Sequence, residues 1–72
     1  METTVYETAK TLNVKEKYAF GAMTLNGQFV WELVRMKDDA ILGCWSRDTV
    51  TYLEALGLLF QLGINHTEVA FV

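Results

Sequence analysis

Seventy-two residues with nine acids, six bases and a formal charge of −3 make one small domain, 1–72, at a size where a single core is marginal without a staple or a partner. Cys44 is the only cysteine, which excludes an intrachain disulfide and a cysteine-rich zinc site. The mild acidity weighs against a nonspecific nucleic-acid binder, which needs counter-charge for phosphate, and is too sparse for an acidic mimic of DNA.

The opening Met1-Glu2-Thr3-Thr4 has no basic stretch followed by an apolar one, so no signal peptide is expected. No apolar run reaches the roughly 18 residues of a membrane span. No membrane association is therefore expected, and a cytoplasmic location is the default. The first dozen residues read two ways. Val5, Ala9 and Leu12 fit a short helix; Val5, Glu7 and Ala9 fit a strand equally well.

Asn26-Gly27 is the clearest local signal, because a two-residue type I′ turn needs positive φ at both central positions. Strands are predicted on either side, at 18–25 and 28–36. Closing the turn pairs Leu25 with Gln28, then Thr24 with Phe29, Ala22 with Trp31, Phe20 with Leu33 and Tyr18 with Arg35. Side chains alternate with period two, so Phe20, Phe29, Trp31 and Leu33 share one face, the expected core face. The other face carries Ala19, Met23, Val30, Val34 and Met36, interrupted by Lys17 and Glu32. A sheet wet on one side shows cleaner alternation than this, so both faces call for cover.

Asp38-Asp39 reads as a turn into a third, antiparallel strand at 40–45, with Ile41, Gly43 and Trp45 on one face and Ala40, Leu42 and Cys44 on the other. A helix follows at 49–63. Ser46 or Asp48 offers an early cap, while Thr51-Tyr52-Leu53-Glu54 reads as a capping box one turn later. The early start fits the spacing of Thr49, Val50 and Leu53, and Gly63 suits the C′ position. At 100° per residue the main stripe is Val50, Leu53, Leu56, Gly57 and Phe60, flanked by Tyr52 and Leu59. Opposite it sit Ala55, Leu58 and Leu62, where solvent would favour lysine or glutamate. A final strand at 68–72 is expected to join the sheet.

The expected fold is α+β: an antiparallel sheet of three to four strands packed on one long helix, in the order β-β-β-α-β, with an ambiguous N-terminal segment. The helix is apolar almost all round, and one sheet face cannot bury it all. The surplus surface (Leu58, Leu62, Ala55, Met23, Val30 and Val34) is therefore expected to bind a partner, most simply a second copy, since a two-fold dimer is the commonest closed form. A different protein is the second candidate for that cover, and the N-terminal segment folding over Leu58 and Leu62 is the third.

Catalytic equipment is sparse. Cys44 reads as a small hydrophobe in a strand, His66 as a loop histidine with no carboxylate or nucleophile in a motif, and Asp38-Asp39 as a solvated turn. No metal or cofactor is implied. Lys15, Lys17, Arg35 and Lys37 converge at the open end of the hairpin, as a solvated strand end or a small basic contact patch. The expected function is a small dimeric accessory or inhibitory protein that binds another protein without catalysis. One alternative is a dimeric nucleic-acid-binding regulator using the basic patch. Another is a small enzyme or ligand carrier with a pocket between subunits, containing His66 or Cys44.

Overall fold

A computed structural model describes residues 3–72. Helix α1 spans Val5–Thr11, followed by β1 at Tyr18–Leu25, β2 at Gln28–Arg35 and β3 at Ala40–Ser46. Helix α2 spans Tyr52–Gln61, and a single 3₁₀ turn, His66–Glu68, leads into β4 at Val69–Phe71. The strands form one sheet in the order β3-β2-β1-β4. The class is α+β, with two corrections to the expected architecture: the sheet is mixed, because β4 runs parallel to β1, and two helices cover it rather than one.

The hairpin follows its turn chemistry. Asn26 and Gly27 have φ of 52° and 78°, and the pairing runs from Leu25–Gln28 to Tyr18–Arg35 in the expected register. Between β2 and β3 the register shifts by one residue at Leu33/Val34, a bulge that leaves Leu42 as the extra residue. Gly43 and Trp45 stay beside Leu33 and Trp31, while Cys44 lies beside Glu32 on the opposite face and Ile41 beside Val34. An added Cβ on Gly43 would meet the Trp45 ring at 2.2 Å, so the glycine makes room for that indole.

Each sheet face has its own core. On one, α1 brings Val5 and Ala9 against Ala19, Met23, Val30 and Val34. The segment is a helix because Thr4 caps it, accepting from the Glu7 N–H, and it stops where Asn13 turns to a φ of 59°. Ala9 and Ala19 are fully buried, so two small side chains let the helix lie close to the sheet. The N-terminal segment thus covers the Met23-Val30-Val34 face, not Leu58 and Leu62. On the other face, α2 brings Ala55 and Leu59 against Phe20, Leu33 and Val69, with Trp31, Leu42, Trp45 and Val50 packed around them.

Helix α2 begins at the later of its two signals. Thr51 and Glu54 form the reciprocal capping box, and the Trp31 indole donates to the Val50 carbonyl at 2.8 Å. The Thr49 and Val50 N–H groups bond back to the Ser46 carbonyl, so the residues before the cap form a turn outside the helix. The helix is therefore ten residues long, rotated from the expected orientation. Ala55 and Leu59 face the sheet. Leu53 and Phe60, expected beneath the helix, are 77% and 80% exposed. An all-round apolar helix has no face chosen by hydrophobicity alone; here the tie at Val50 and the return through the Ile64 N–H to the Leu59 carbonyl choose it.

Candidate protein-contact site

Ten helical residues span about 15 Å, whereas the eight-residue strands of the hairpin span about 27 Å. Helix α2 cannot roof the whole face, and the end near the Asn26-Gly27 turn stays bare. Ala22 is exposed there and Phe29 is 56% exposed, so Phe29 is not the core residue its register suggested. Around them the face is aromatic. Phe20, fully buried, forms the hub: Trp31 stacks on it with centroids 5.8 Å apart, and Tyr52 and Phe71 meet it at 6.0 and 6.1 Å. Tyr52 also meets Trp31 edge-on at 5.5 Å. Arg47, just beyond β3, lays its guanidinium 5.0 Å from the Trp31 ring centre and 5.4 Å from that of Phe29.

This surface joins Phe29, Trp31, Tyr52, Phe71 and Arg47, from four separate parts of the chain. Tyr52 and Phe71 keep 43% and 45% of their surface exposed. Rings held against a buried Phe20 lose little freedom on binding, and the stacked arginine brings directional donors. Tyrosine, tryptophan and arginine dominate interface energetics for these reasons. Arg47 was missed because a turn residue has no periodicity to mark it. Phe29 was misplaced in the core because the helix expected at 49–63 is longer than the ten residues that form.

The residues expected to meet a partner divide. Met23, Val30, Val34 and Ala55 are buried within the chain, so their cover is internal. Leu58 is half-buried and Leu62 is 51% exposed. The surplus of α2 lies instead along Leu53, Gly57 and Phe60. A glycine in mid-helix costs about 1 kcal/mol relative to alanine. A Cβ added at Gly57 would meet nothing within 4 Å, so no packing inside the chain requires it.

Lys15, Lys17, Arg35 and Lys37 do converge, lining an open cleft of about 580 Å³ with Tyr18 and Met36. Two of the cations are already engaged. Lys17 pairs with Glu68 at 3.4 Å, and Arg35 holds Asp38 through two bonds of 2.9 and 2.8 Å. That guanidinium keeps the Asp38 carboxyl below its ordinary range. The cleft lies at the open end of the hairpin, six residues along β2 from Phe29 and thus roughly 20 Å away. Cations and exposed aromatics do not merge into one surface.

Cys44 and His66 are not brought together. Cys44 is on β3 at one edge of the sheet and His66 opens the 3₁₀ turn that leads into β4 at the other, so at least three strand spacings, roughly 14 Å, separate them. His66 lines a separate hollow of about 400 Å³ with Phe60, Ile64 and Asn65. Partial desolvation, then the charge of Glu32, push the Cys44 thiol up, opposite to the shift that activates a nucleophilic cysteine. Among the described residues no three His, Cys, Asp or Glu side chains converge as a metal site requires, and no helix is long and apolar enough to cross a membrane.

Glu32, expected only as an interruption of an apolar face, is 4% exposed. Burial, then the charge of Asp39, raise its carboxyl above the ordinary value. The folded state therefore binds the proton more tightly than the unfolded chain, and stability falls as pH rises from the ordinary glutamate range through the raised value. Glu32→Gln removes that loss. The expected result is a more stable variant at pH 7, with the gain shrinking as pH drops below about 4.3. Thermal unfolding of both proteins at the two pH values checks it; a less stable variant at pH 7 would contradict it.

No protein-family model, curated protein or solved structure matches the chain, so any functional reading rests on this geometry.

Proposed function

We propose that the chain is a small accessory or inhibitory protein that binds another protein and performs no catalysis of its own. The observation that carries this reading is the preorganised surface of Phe29, Trp31, Tyr52, Phe71 and Arg47 on the bare end of the sheet. A rigid aromatic cluster with one stacked arginine suits a protein epitope better than a polyanion, because Lys15, Lys17, Arg35 and Lys37 lie at the far end of the hairpin. The chain's charge of −3 favours the same choice.

The test is affinity capture from cells that express the chain, using the wild-type protein beside a Phe29→Ala, Arg47→Ala double variant. Both side chains are exposed, so the fold survives their loss. Truncating a hot-spot residue costs about 2 kcal/mol or more, so the variant is expected to bind its partner at least about 30-fold more weakly. A protein retained equally by both, or none retained by either, would overturn this reading. Binding of labelled DNA or RNA at low salt that is lost on neutralising Lys15 and Lys37 would put the nucleic-acid regulator in its place.

A further inference from the structure

We propose that the exposed stripe of α2, Leu53, Gly57 and Phe60, with the half-buried Leu56 at its margin, docks a second copy of this chain as an antiparallel helix pair with its two-fold axis beside Gly57. The stripe has the i, i+3, i+4, i+7 spacing of a helix contact face, and its residues carry no charge. Its sequence is self-complementary in the antiparallel sense. An axis midway between Leu56 and Gly57 sets Leu53 of each copy against Phe60 of the other. It also brings both glycines to the centre, beside the exposed edge of each half-buried Leu56.

Two observations favour a second copy over a different partner. The glycine has no neighbour that an added Cβ would disturb, yet it sits at the one position where two helices related by this axis come closest. Large side chains at the ends and a gap at the middle then fit each other, as an isologous contact requires. The area is also sufficient. Phe60 and Leu53 are 80% and 77% exposed; an aromatic side chain alone offers about 150–250 Å². With Leu56, Gly57 and the bordering polar residues, each copy buries about 500 Å², so the pair reaches about 1,000 Å², the lower bound of a specific interface. The surface is built from different residues than the Phe29 and Arg47 contact, so either can fail without the other.

Sedimentation of the purified chain from about 1 to 500 μM, beside Phe60→Glu and Gly57→Gln, tests the contact across dissociation constants equivalent to about −8 to −4 kcal/mol in binding free energy. The wild type is expected to pass from monomer to dimer within that range, and each variant to dissociate at least about tenfold more readily. Gly57→Gln separates this from damage to the fold: it replaces a poor helix former with a good one, so its monomer should melt at the same or a higher temperature. A wild type that stays monomeric throughout would overturn the proposal and leave the stripe to a different protein. A dimer unchanged by both substitutions would overturn it too, and move the contact to another surface, with the open β3 edge next in line.

Discussion

Phe20→Ala is expected to remove most of the stability of the fold. Phe20 is fully buried and stands where the α2 core meets the aromatic surface, with Trp31, Tyr52 and Phe71 all packed on its ring. Truncating a buried phenylalanine costs about 3–5 kcal/mol in lost transfer energy and residual cavity, against a net stability of about 5 kcal/mol for a domain at the small end of the range. The melting temperature should fall by more than about 12 °C, or the cooperative transition should vanish. The control is Phe29→Ala, on the same face but 56% exposed, which should cost less than about 1 kcal/mol. Similar losses for the two would mean that the hub is misplaced. Phe20→Leu, keeping most of the apolar volume, should retain a folded domain whose aromatic surface is looser, and with it a weaker hold on any partner.

The contrast between Phe20 and Phe29 marks how far the sequence could be read. Their shared face followed from Asn26-Gly27 and period two, since one turn type fixes every pair outward from it. Which of them the helix covers depends on where α2 begins, and two cap signals competed for that. The capping box won because residues 46–50 are occupied in the turn that leaves β3, where the Val50 N–H bonds back to Ser46 and the Val50 carbonyl accepts from the Trp31 indole. The rotation of α2 was illegible for a related reason: Leu53, Leu56, Leu59 and Phe60 are equally apolar, so only tertiary ties distinguish inside from outside. The need for cover on the Met23-Val30-Val34 face was legible. Its source was not, because Val5, Ala9 and Leu12 fit a helix as well as Val5, Glu7 and Ala9 fit a strand, and the cap that decides it, Thr4, has no part in either pattern.

Gly21→Val is expected to detach the end of β4, the one strand whose parallel pairing gave no local signal. Gly21 lies on the α1 side of β1, and an added Cβ would stand 2.6 Å from the Val72 carbonyl oxygen and 3.0 Å from its Cγ2. The first of these is a backbone atom, so it cannot swing aside as a side chain does. The Val72 N–H also donates to the Phe20 carbonyl at 3.0 Å, which ties the obstructed residue to the strand beside it. Lifting Val72 breaks that bond and opens the α1 core at Ala19, while Val69 and Ala70, both buried, lose their anchor. Overpacking a tight site costs about 1–3 kcal/mol, and this one sits at the upper end because backbone must move. The cost should be non-additive with Val72→Gly: removing the Val72 side chain destabilises the wild type but adds little in the Gly21→Val background, where that side chain is already displaced. Hydrogen exchange should show the Val72 amide losing its protection in Gly21→Val while the amides of the β1–β2 ladder keep theirs. Full protection at Val72 in that variant would mean that β4 does not depend on the gap at Gly21.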